Sequence, residues 1–119
     1  MRHDESLIQR SCVSWFRLQH RSLAPLLWSV PNGLASRSRV SAAIAKAEGM
    51  TSGVADLTLT IASQGYHGLY IEVKTPIGKQ SPTQRKWQQL VEAQGYRYVI
   101  VRSLDEFVTT INNYIYGKD

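Results

Sequence analysis

Between Thr51 and Gly78 the only Asp, Glu, Lys or Arg residues are Asp56, Glu72 and Lys74. Two carboxylates offer hard oxygen ligands to Mg²⁺ or Mn²⁺, and Mg²⁺ usually keeps several of its waters. Such an ion neutralises charge on a phosphoryl group, polarises its oxygen and lowers the pKa of a bound water. An amine beside it can orient or deprotonate that water and stabilise developing negative charge. The three groups therefore suit phosphodiester hydrolysis. They equally suit a cross-strand salt bridge of Lys74 with Glu72 or Asp56 on a solvated sheet face, a common arrangement in antiparallel sheets. Spacing alone leaves both readings open.

The elements that must position these residues follow from periodicity. In Asp56 to Ile61, alternation puts Leu57, Leu59 and Ile61 on one face; beyond a turn at Gly65, Leu69, Ile71 and Val73 share a face in the next run. These runs read as an antiparallel hairpin. Glu72 and Lys74 are two apart and point away from Ile71 and Val73, while Asp56 falls opposite Leu57. With the apolar faces together, all three charges are expected on the other surface.

Upstream, Glu5 to Leu18 reads as a helix, with Asp4 as its cap and Ile8, Cys12, Trp15 and Phe16 at helical spacing. Leu26 to Val30 reads as extended, ending in a turn at Pro31-Asn32-Gly33. A second helix is expected from Ser36 to Glu48, with Val40, Ala43, Ile44 and Ala47 as its apolar stripe and Gly49 as a left-handed cap. Downstream, Ser81-Pro82-Thr83-Gln84 combines a capping box with proline at the first helical position. That helix is expected to turn Trp87, Leu90 and Val91 inward. Tyr96 to Val101 reads as a central strand covered on both faces. Ser103 to Glu106 repeats the capping pattern before a last helix carrying Phe107, Val108, Ile111 and Ile115. The expectation is one mixed α/β domain over residues 1–119, with helices on both sides of a sheet.

Composition narrows the function. The chain has 119 residues, 14 Lys+Arg against 9 Asp+Glu, and a formal net charge of +5. Cationic surface draws in phosphates and releases their counterions, so a polyanionic partner fits this balance. No apolar run is long enough to span a bilayer, and no apolar signal core follows Met1. Cys12, the single cysteine, excludes an internal disulfide and suits packing in a reducing cytosol. A cytoplasmic protein of a bacterium or of a phage-infected cell is expected.

Taken jointly, Gly53-Val54-Ala55-Asp56-Leu57, Ile71-Glu72-Val73-Lys74, Ser81-Pro82-Thr83-Gln84 with Trp87, Leu90 and Gly95, and Val99 to Ser103 resemble the VRR-NUC family. This is the virus-type replication-repair branch of the PD-(D/E)xK nucleases. Pro31-Asn32-Gly33 ahead of Lys46 to Gly49 resembles its N-terminal half, and the likeness runs from about Glu5 to Phe107. Ala55 stands where the motif name has proline, a backbone-shaping position and not a ligand. The resemblance implies a restriction-endonuclease-like core and a Mg²⁺-dependent DNA endonuclease, with Mn²⁺ as an alternative ion. It also implies a homodimer acting on branched DNA such as four-way junctions.

Carried over to this chain, the resemblance makes Asp56, Glu72, Lys74 and Gln84 the catalytic set and Asp56, Glu72 and Val73 the metal positions. Gln84 also reads simply as half of its capping box. Glu5 resembles an acidic residue near the metal, and suits a solvated helix start equally well. Lys79, Arg85, Lys86, Arg37, Arg39 and Lys46 are candidates for phosphate contacts, which position DNA without reading its sequence. Singly, each reads as an ordinary solvated cation. His67 has no second histidine at ligand spacing and reads as structural. Tyr114 and Tyr116 read as core or as an apolar patch. The rival functions are a non-catalytic DNA-binding module and a nuclease of nicking, flap or restriction type.

Overall fold

The computed structural model describes residues 2–30 and 38–117. The helix α1, Arg2–Gln19, is followed by a 3-10 segment, Arg21–Leu26, and by the short strand β1, Leu27–Trp28. After α2, Arg39–Ala47, come β2, Leu57–Leu59, and β3, Leu69–Val73. The chain ends with α3, Pro82–Ala93, then β4, Arg97–Val101, and α4, Leu104–Tyr116. The strands form one mixed sheet in the order β1-β2-β3-β4, antiparallel except for the parallel pair β3–β4. Among the described residues no helix is long and apolar enough to cross a membrane.

The expected hairpin is present, with Leu57 opposite Ile71 and Leu59 opposite Leu69. Alternation then sorts the side chains by face. Leu57, Leu59, Leu69, Ile71, Val73 and Val101 are buried against Cys12 and Phe16 of α1 and Phe107, Ile111 and Tyr114 of α4. Burying such side chains stabilises by about 1.5–3 kcal/mol each, which is why these helices stay on that face. On the opposite face α3 lays Trp87 edge-on to Tyr70, with ring centroids 4.8 Å apart, and 6.2 Å from Tyr98. Helices therefore cover both sides of the sheet.

Several expectations shift. Asp4 lies inside α1, whose first turn begins earlier than the polar N-terminal residues suggest. The extended piece shortens to two residues because Leu26 closes the 3-10 segment. The cap of α2 is Ser38, whose hydroxyl accepts from the Ser41 N–H, and Gly49 takes the expected left-handed conformation at φ 111°. The predicted stripe of α2 is not buried: Val40 and Ile44 are exposed and Ala45 alone is covered. Ser36 and the Pro31-Asn32-Gly33 turn lie outside the described residues.

The capping box of α3 is complete, with Ser81 and Gln84 exchanging side-chain to backbone hydrogen bonds. Leu90 faces out at 62% exposure, since Trp87 already fills the space over the sheet. β4 is an edge strand among the described ones and not a central one. The hairpin partner β2 occupies the other side of β3, so the crossover through α3 brings β4 to the free edge. Cys12 is buried as packing, and Tyr114 joins the core while Tyr116 stays exposed.

Candidate active site

The site begins at the mouth of the hairpin. Asp56 sits just before β2, and its Oδ2 accepts the Val73 N–H at 2.7 Å. That bond ties one carboxylate to the backbone between Glu72 and Lys74. The loop before Asp56 needs Gly53, whose φ of 85° is left-handed. A Cβ there would lie 2.8 Å from the Thr83 carbonyl oxygen, so glycine lets this loop press on the first turn of α3.

Glu72 leaves β3 on the α3 side, as alternation requires, yet it is only 1% exposed. The Lys74 ammonium lies 3.2 Å from Glu72 Oε2. They meet as an ion pair along one strand, without an aligned hydrogen bond to that buried oxygen. The solvated cross-strand bridge considered from the sequence is thus not what forms, because α3 covers this face. Burial pushes the Glu72 carboxyl above the usual carboxylate range; the Lys74 ammonium pulls it back, the Asp56 charge adds to the rise, and the Gln80 amide lowers it slightly.

Two residues here carry no signal in the sequence. The parallel register sets Tyr98 beside Tyr70, diagonal to Glu72, and its hydroxyl donates to Glu72 Oε1. Gln80 donates to Gln88 Oε1 at 2.7 Å and to the Tyr98 hydroxyl at 3.4 Å. Alternation predicts that Tyr98 shares a face within its own strand. Only the strand order reveals that this face adjoins Glu72. Gln80 approaches the buried carboxylate, and the Gln84 side-chain oxygen accepts the Ser81 N–H at the helix cap, the second role read for it from the sequence.

A trough of about 780 Å³ runs between α1 and the segments that follow β1, at Ser29 and Val30, and precede β2, at Asp56; Glu5 and Asp56 both line it. Glu5 is thereby brought into the same cavity as the first carboxylate. Lys79, Arg85, Lys86, Arg39 and Lys46 are all exposed, and Arg37 lies outside the described residues. Arg102, which lies within the Val99 to Ser103 motif but has no role assigned there, fastens the loop after β3: its Nη1 donates to the Thr75 carbonyl at 2.8 Å and the Gly78 carbonyl at 2.6 Å. His67 packs edge-on to Tyr96, with centroids 5.7 Å apart, as a structural residue would.

Among the described residues no three His, Cys, Asp or Glu side chains cluster as a metal-binding group. Side-chain oxygens for a cation would come from Asp56 and Glu72, and Val73 can offer only its backbone carbonyl. That donor set fits a hard ion that retains waters, and the sealed Glu72 Oε2 without an aligned donor is an acceptor such an ion could use.

A mixed four-stranded sheet with helices on both faces, carrying this acidic and basic cluster across its central hairpin, defines a restriction-endonuclease-like α/β fold. The model of the VRR-NUC domain family matches residues 3–105, and the chain belongs to that family. It is similar to a solved structure described as a VRR_NUC domain protein, with 27% identity, a TM-score of 0.83, and coverage of 97% of this chain and 90% of that one. No curated protein matches. The chain is a nuclease-fold, DNA-processing module.

Proposed function

We propose that this protein is a Mg²⁺-dependent DNA endonuclease, able also to use Mn²⁺, that works as a homodimer on branched DNA such as four-way junctions. The observation that carries the reading is the convergence at Val73: its N–H holds Asp56, while Glu72 and Lys74, its neighbours in the chain, form a buried pair. Asp56 and Glu72 would hold the cation, with the Val73 carbonyl as a further oxygen and Glu5 close by. When bound, the ion would polarise a phosphoryl oxygen and acidify a water.

The protein's own groups supply the rest. Lys74 keeps an ammonium beside the Glu72 carboxylate, where it balances charge and can donate to an oxygen of the scissile phosphate. The Tyr98 hydroxyl holds one Glu72 oxygen and the Lys74 ammonium stands beside the other, leaving that second oxygen able to accept from a cation. Trp87 of α3, packed on Tyr70 and Tyr98 of the sheet, excludes water from the rear of the site. A two-fold dimer matches the two strands to be cut in a symmetric junction.

The test is cleavage of labelled linear, nicked, flapped and four-way DNAs with Mg²⁺, Mn²⁺ or EDTA. Glu72→Ala and Lys74→Ala should each abolish cutting while leaving a folded protein that still binds DNA. Undiminished Mg²⁺-dependent cutting by Glu72→Ala would overturn the reading. The burial of Glu72 between Tyr98 and Lys74 also favours a second reading, a non-catalytic DNA-binding module in which the pair is purely structural. That reading requires binding without cleavage on every substrate and with every ion.

A further inference from the structure

We propose that the trough along α1 seats the phosphate backbone of one DNA strand, with Arg10 and Arg17 as its phosphate contacts. This rests on the nuclease reading and assigns its substrate a path. Residues 5/6, 9/10, 13/14 and 17/18 of α1 all line the trough. They form a stripe repeating every four residues, beside the buried stripe of Cys12 and Phe16. The trough is therefore a built feature, held in place because the neighbouring stripe of α1 is anchored in the core.

Its chemistry is graded along the helix. Glu5 stands in the first turn and Arg17 in the last, with Arg10 between them, while Ser29, Val30 and Asp56 form the opposite wall. Neither Arg10 nor Arg17 has a carboxylate partner among the described residues. Their guanidinium groups are exposed and free to take phosphate oxygens, often by two parallel hydrogen bonds. Seven residues separate them, about 10 Å along the axis. Two guanidinium groups so spaced can each take a different phosphate of one strand. Ser6, Gln9 and Ser14 add hydroxyl and amide donors of the kind that bind DNA backbones. The arginines hold the strand, and the acidic wall at Asp56 is where it meets the candidate catalytic cluster.

The measurement is fluorescence anisotropy of labelled single-stranded, duplex and four-way DNAs, titrated in EDTA across a salt series. Arg10→Ala and Arg17→Ala should each weaken binding to all DNAs alike and reduce the slope of log affinity against log salt by about one. Lysine at either position should keep the slope, and Arg21→Ala, exposed outside the trough, should keep both slope and affinity. Alanine suits an exposed helix position, so the variants should unfold at the wild-type temperature. Wild-type affinity and slope in both alanine variants would overturn the trough and leave the nuclease reading standing. Absence of DNA binding by the wild-type protein would overturn both.

Discussion

Glu72 shows how one residue's position in a strand differs from its environment. Alternation assigns it to the face away from Ile71, and nothing local says that Tyr98 and α3 will seal it. Sealing raises its pKa, so the folded chain holds the Glu72 proton more tightly than the unfolded chain does. The resulting stability is fully present below the unfolded value of about 4.3 and is lost as pH rises through the higher folded value. In metal-free buffer, the wild type should therefore gain stability relative to Glu72→Gln as pH falls through that window. Denaturant titrations of both proteins at several pH values check this, and a constant difference would contradict it. Asp56 and Lys74 were legible as candidates from their isolation in an uncharged stretch. Tyr98 and Gln80 were not, because a tyrosine and a glutamine in ordinary surroundings carry no local mark of the carboxylate they will meet.

At the scale of elements, local chemistry predicts ends better than neighbours. The capping box of α3 and the left-handed Gly49 form as the residues dictate, because each is decided within a few residues. The buried face of α2 and the place of β4 came out otherwise, because both depend on what the rest of the chain leaves uncovered. The loop after β3 belongs with the second group. Its carbonyls at Thr75 and Gly78 are gathered by Arg102 from the end of β4, which ties the segment bearing Lys79 to the sheet. Arg102→Ala should cost about 1–3 kcal/mol, since it strips a charged donor from part-buried acceptors. Hydrogen exchange should quicken at Gly78, whose N–H donates to Thr75. Unaltered exchange there would mean that the loop holds itself.

For the whole molecule, the formal charge of +5 fits a polyanionic partner, and the placement of that charge gives it direction. The proposed homodimer is tested on the intact protein. Light scattering behind gel filtration should give twice the chain mass of 13.4 kDa, and a single chain mass across the working concentrations would remove the dimer. By itself the sequence determined the hairpin, its apolar face, the caps of α3 and α4, and the shared side of Glu72 and Lys74. Each is set by backbone geometry and side chains a few residues apart. Only the tertiary structure decided that Asp56 is tied to Val73, that Glu72 is sealed, and that α1 opposes Asp56 across a trough. Those outcomes turn on which distant segments pack together, and that choice is made by the burial of the whole core.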